Sequence, residues 1–103
     1  MNIENKFLKV SMPDGSKWKV PVRIIIENRA IYASKKLNTP LEIAIQYTIS
    51  LFEDDEYEIE DWASNNMDWE DVEKYAERIK DKGLSQEDLQ EGWVNGAKEI
   101  IEE

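Results

Sequence analysis

The apolar residues change period at Pro21, and that change dictates a fold built from two kinds of element. Ahead of it, Leu8, Val10 and Met12 alternate with Phe7, Lys9 and Ser11, and Trp18 and Val20 alternate with Lys17 and Lys19. A period of two describes a half-buried strand. Pro13-Asp14-Gly15-Ser16 separates the two runs. Proline presets φ for a type I turn, Asp caps the turn, and Gly supplies a left-handed position. Residues 3–20 are therefore predicted to form a hairpin with a glycine bulge. Leu8, Val10, Met12, Trp18 and Val20 form its inward set, and Phe7, Lys9, Lys17 and Lys19 its outward set.

A two-stranded ribbon is marginal alone and needs cover for its apolar face. Beyond Pro21 the spacing becomes helical. Val22, Ile26, Ala30, Ala33 and Leu37 form one stripe, widened by Ile24, Ile25, Ile31 and Tyr32, and Asn38-Thr39-Pro40 ends it. Thr39 and Glu42, with Pro40 between them, read as a capping box. The next helix carries Leu41, Ile45, Ile49 and Phe52 on one face and Ile43, Tyr47 and Leu51 on another, which predicts the central helix. Asp55 with Glu58 starts a short helix holding Ile59, Trp62 and Ala63, ended by Asn65-Asn66. Asp68 with Asp71 starts another, with Trp69, Val72, Ala76 and Ile79 as its stripe and Gly83 as its stop. Ser85 with Asp88 caps a last helix whose core face is Leu89, Trp93, Ala97 and Ile100. Gly92 and Gly96 weaken that helix, and Asn95-Gly96 reads equally well as a turn splitting the segment. The expected class is α+β: a single domain over 1–103, its N-terminal two-stranded antiparallel hairpin packed against four to five α-helices in residues 21–103.

A chain of 103 residues fits one domain. It holds no Cys and no His, which excludes disulfides, thiolate nucleophiles, His-based acid–base catalysis and most transition-metal sites. The longest apolar run, Ile24–Ile26, is far too short to span a bilayer. Charges at Glu4, Lys6 and Lys9 replace any apolar signal region, so a soluble cytosolic protein is expected.

The net charge of −10 is unevenly spread. Residues 1–40 carry eight Lys/Arg against three acids, and residues 41–103 carry five against twenty, giving +5 and −15. Residues 53–73 hold eleven acids and no base. Helices with carboxylates spread over an exposed face can approach the charge density of nucleic acid, which presents one phosphate charge per ~1.7 Å of B-DNA axis. Such a surface would occupy the basic groove of a nucleic-acid-binding protein, steered there by charge. The competing reading is a solvated helix surface with capping carboxylates, and Asp55, Glu58, Asp68 and Asp71 sit where caps belong. The stretch lacks the alternating ligands and central Gly of a calcium loop, and no metal site or cofactor is expected.

The outward hairpin lysines with Phe7 could contact nucleic acid, but lysine protection of a sheet edge explains them as well, and the −15 body repels nucleic acid at long range. Trp62, Trp69 and Trp93 fall on core stripes. If Trp62 or Trp69 is partly exposed, its acidic neighbours make an aromatic–acid hot spot for a basic protein. No phosphate loop, nucleophile elbow or Ser-x-x-Lys motif is present, so no catalytic residue is named.

Three stretches together resemble small acidic accessory proteins of tailed bacteriophages and prophages. They are Asp14-Gly15-Ser16-Lys17-Trp18-Lys19-Val20-Pro21-Val22 with Glu27-Asn28-Arg29-Ala30, then Glu56-Tyr57-Glu58-Ile59-Glu60-Asp61-Trp62-Ala63-Ser64-Asn65-Asn66-Met67-Asp68-Trp69, and Gln90-Glu91-Gly92-Trp93-Val94-Asn95-Gly96. The resemblance covers most of the chain and carries over no catalytic residue. It implies a virus-encoded protein in the bacterial host cytoplasm. Phages use such proteins against restriction, CRISPR and other DNA-handling systems, which favours phosphate mimicry. The expected function is a non-enzymatic protein-binding module contacting a basic host protein through Asp54, Asp55, Glu56, Glu60, Asp61, Glu70 and Glu73, with no direct nucleic acid or membrane contact. The alternative is a phage structural or assembly protein that self-associates, the basic part of one chain meeting the acidic body of another in a salt-sensitive homo-oligomer.

Overall fold

The computed structural model describes residues 2–12, 17–80, 93–94 and 96–102. The Pro13–Ser16 turn, the Gly83 stop and the Ser85, Asp88 and Leu89 signals lie outside the described residues. The chain is α+β. Strands β1 (Phe7–Ser11) and β2 (Lys17–Pro21) pair antiparallel. Helices α1 (Val22–Leu37), α2 (Leu41–Asp54), α3 (Tyr57–Asn66) and α4 (Trp69–Val72) follow, then β3 (Glu77–Lys80) and β4 (Ala97–Ile101).

The sheet corrects the expectation that everything after residue 20 is helical. It has four antiparallel strands in the order β3-β2-β1-β4. The helix opened by Asp68 lasts one turn, continues as a 3-10 turn over Glu73–Tyr75, and gives way to β3, so Ile79 is a strand residue. Of the final helix, Trp93 and Val94 keep helical backbone; after a bend at Gly96 the chain runs as β4, while Gly92 and Asn95 lie outside the described residues. The physical reason is the hairpin's own edges. Both outer edges of a lone ribbon present backbone N–H and C=O groups that need partners, and β3 and β4 supply them. The i, i+3, i+4 spacing of Trp69, Val72 and Ala76 fits a helix, but ladder bonding on the β2 edge overrides it.

Alternation places the core. Val20, Leu8 and Ile100 form one cross-strand row of the inner face, and Trp18, Val10 and Lys98 the next. Leu8, Val10 and Val20 are fully buried, and Trp18 and Ile100 pack against the core. Pro21 ends β2 and lets α1 begin at once, with Val22 N–H donating to Lys6 O at 3.0 Å. Val22, Ile25, Ile26 and Ala30 are buried. Asn38, at φ 51°, reverses the chain after α1; Asn tolerates the left-handed region better than most residues.

That reversal undoes the capping box expected at Thr39. The Thr39 N–H donates to Ser34 O and its carbonyl accepts the Ser34 hydroxyl at 2.6 Å, while its own hydroxyl donates to Leu37 O. Tied back to α1, Thr39 does not cap α2. The other two start signals act as read: Asp55 accepts the Tyr57 N–H at 3.1 Å, and Asp68 and Asp71 form a reciprocal capping box. Nor is α2 central. Ala44, Thr48 and Phe52 are buried, but Leu41, Ile43 and Tyr47 are exposed. Helix α3 packs on both α1 and α2 and leaves the second apolar face of α2 open.

Three tryptophans knit the short elements to the sheet. Trp69 meets Trp18 edge-on with centroids 5.1 Å apart, and Trp93 lies 6.2 Å from Trp69. Trp93 Nε1 donates to Met67 O at 3.0 Å in the buried interior. Aromatic pairs in tilted geometry contribute about 0.5–1.5 kcal/mol beyond their burial. No helix among the described residues is long and apolar enough to cross a membrane.

Candidate protein-binding surface

The acidic stretch folds into the end of α2, all of α3, and α4 with the turn after it. Asp54, Asp55, Glu56, Asp61, Glu70 and Glu73 are exposed, and Glu60 is half-buried. The cause is amphipathicity: Ile59, Ala63, Trp69 and Val72 take the inward positions, so the acids between them are turned out. Asp55 is partly spent on its cap, and Asp61 accepts a hydrogen bond from Asn65 Nδ2 at 3.1 Å. Among the described residues, no cation pairs with Asp54, Asp61 or Glu70.

One ion pair reaching into this stretch is Lys6–Glu56, Nζ to Oε2 at 3.0 Å, with Glu102 Oε1 at 3.7 Å from the same ammonium. The hydrogen bond to Glu56 raises the Lys6 pKa, and the charges of Glu56 and Glu102 add to it. Two of the outward hairpin lysines, Lys9 and Lys19, are engaged within the chain. The row Glu77–Lys19–Lys9–Glu99 crosses all four strands in register. Lys9 Nζ lies 2.6 Å from Glu99 Oε1 and Lys19 Nζ 3.4 Å from Glu77 Oε2. The two like charges at the centre of the row are flanked by opposite ones, which offsets their repulsion. Lys19 also sits 4.7 Å over the Phe7 ring.

The charge of Glu60 acts on another cation, Lys98. Lys98 lies on the inner side of edge strand β4, where Nζ donates to Gly96 O at 3.0 Å and Val94 O at 3.3 Å. Burial lowers the Lys98 pKa, and the charge of Glu60 opposes that shift. An inward-pointing lysine on an edge strand also discourages pairing with a further strand.

The spacing missed one constellation. Arg29 on α1 lies between Tyr47 of α2 and Trp62 of α3, its guanidinium 5.9 and 5.8 Å from their ring centroids, and it donates to Thr48 Oγ1 at 3.3 Å. The Tyr32 ring meets Trp62 at a tilt of 51°, with centroids 5.3 Å apart. Trp62 Nε1 donates to Asn28 Oδ1 at 2.9 Å. Trp69 and Trp93 are buried as their stripes predict, but Trp62 is half-exposed beside Asp61. The condition for an aromatic–acid hot spot is thus met at Trp62. Its signal lay in Asn28 and Arg29, polar residues on the side of α1 that receives α3, but no pattern in one helix reveals the side chain of another.

Among the described residues, no group of three or more acids is arranged to hold a metal ion. No protein-family model, curated protein or solved structure matches this chain.

Proposed function

We propose that this chain is a non-enzymatic protein-binding module, phage-encoded, whose acidic α2–α4 surface takes the nucleic-acid groove of a basic host protein and inhibits it. The supporting observation is that Asp54, Asp61 and Glu70 stand exposed with no cation paired to them among the described residues, while Lys9 and Lys19 of the hairpin pair with Glu99 and Glu77. The charge density suits phosphate mimicry. Glu56, Glu58, Glu60 and Asp61 fall within about 7.5 Å of helix axis, a length over which one DNA strand presents about two phosphates. Half-exposed Trp62 gives the surface an aromatic anchor, the residue type that most often dominates binding energy at interfaces. The resemblance to small acidic phage proteins points to a host defence or DNA-handling protein as the target.

The test is affinity capture from a bacterial lysate, followed by competition with duplex DNA and with RNA. The reading predicts a basic captured protein, displaced by nucleic acid and bound more weakly as salt rises. A captured partner that nucleic acid does not displace rejects phosphate mimicry.

A further inference from the structure

Helices α1 and α2 are joined by three residues and lie side by side, and between them runs an apolar groove lined by Ala33, Leu37, Thr39, Ile43, Ala44 and Tyr47. Leu37 is 66% exposed, and Ile43 and Tyr47 are each 59% exposed. Single exposed apolar residues are ordinary, but a contiguous set on neighbouring helices marks a contact surface.

The charges at the two ends of this groove identify its occupant. Because the helices run antiparallel, the end of α1, with Lys35 and Lys36, lies opposite to the end of α2, with Glu53 and Asp54. Asp54 continues the row of Ile43 and Tyr47, seven positions beyond Tyr47. Lys36 stands at the other end, its Nζ 3.2 Å from the Tyr32 hydroxyl and next in sequence to Leu37. Lys35 and Lys36 outnumber exposed Glu42 at one end, and Glu53 and Asp54 outnumber exposed Arg23 at the other, so a partner of one charge sign meets net like charge at one end. A second copy, turned end for end by a two-fold axis, sets cations on carboxylates at both ends and apolar surface on apolar surface between them.

We propose that the α1–α2 face is the interface of a symmetric homodimer, with Tyr47 near its centre, Leu37 and Ile43 between that centre and the Lys36 end, and Lys36 of each copy near Asp54 of the other. The two readings share Asp54, but Leu37, Ile43 and Tyr47 lie outside the acidic surface and Asp61, Glu70 and Glu73 lie on or beyond α3, so Ile43→Glu separates them.

The test is sedimentation equilibrium of the full chain from about 1 μM to about 1 mM. The wild type is expected to approach twice its 12.1 kDa monomer mass. Ile43→Glu, a change at an exposed position, is expected to weaken dimerisation at least tenfold with helix content by circular dichroism unchanged. Lys36→Glu and Asp54→Lys are each expected to weaken it, and the double exchange to restore it. A monomer mass at every concentration overturns the proposal, as does a dimer that survives Ile43→Glu or a double exchange that fails to restore it. If the dimer is lost while a basic partner still binds, this face and the acidic one are separate.

Discussion

Lys9 of β1 and Glu99 of β4 lie in register across the sheet with Nζ and Oε1 2.6 Å apart, joining residues ninety positions apart. The basic N-terminal part and the acidic remainder are thus interleaved in space. The hydrogen bond from Lys9 holds the Glu99 carboxyl below the usual carboxylate range, helped by the charges of Lys9 and Lys17. A carboxyl whose pKa is depressed by folding stabilises the native state above its unfolded value and loses that contribution as pH falls through the folded one. Glu99→Gln is therefore expected to be slightly less stable than wild type at pH 7. The gap should close below about pH 4 and shrink in high salt. Urea unfolding at several pH values measures it; a gap that widens on acidification contradicts the assignment.

The Trp93–Met67 hydrogen bond is buried at both ends. Trp93→Phe keeps most of the aromatic volume but leaves the Met67 carbonyl without its donor. The expected loss is about 1–3 kcal/mol, seen as a lower urea midpoint at unchanged slope. An unshifted midpoint removes that bond from the account.

Asn38 reverses the chain at φ 51°. Asn38→Gly should be tolerated within a few tenths of a kcal/mol, whereas Asn38→Ala should cost about 1 kcal/mol, because a Cβ is crowded there without the local hydrogen bonding of Asn. Thermal unfolding of the pair checks this; equal stability of the two variants would mean that the backbone relaxes out of the left-handed region.

Lys98 should titrate below the lysine reference value of about 10.4, since burial disfavours its charge. Glu60 supports that charge, so Glu60→Gln should move the midpoint further down. Carbon-13 titration of the Lys98 Cε reads both. A midpoint that rises in Glu60→Gln contradicts the proximity of the two groups.

The hairpin, the start of α1 at Pro21, and the starts of α3 and α4 at Asp55 and Asp68 were all legible, because each is encoded by local alternation, proline geometry or a cap. Strands β3 and β4 were not. Glu77–Lys80 and Ala97–Ile101 carry spacings that also fit helices, and their strand state comes from the unpaired edges of β1 and β2. The open side of α2 was hidden for the same reason: Ile43 and Tyr47 read as buried because periodicity shows that a face is apolar, not whether another element arrives to cover it. Outward placement of Asp54, Asp61 and Glu70 was readable from the inward stripes beside them. The clasp of Arg29 between Tyr47 and Trp62 was not, since it joins three helices.

The central claim is that carboxylates of the α2–α3 surface hold a basic partner. Its most direct measurement is the affinity of the captured partner for a chain with Asp54→Asn, Asp55→Asn, Glu60→Gln and Asp61→Asn combined, its helix content checked by circular dichroism. The account predicts affinity at least about tenfold weaker, a loss of at least about 1.4 kcal/mol, with a shallower dependence on salt. Unchanged affinity in a folded quadruple variant would contradict it.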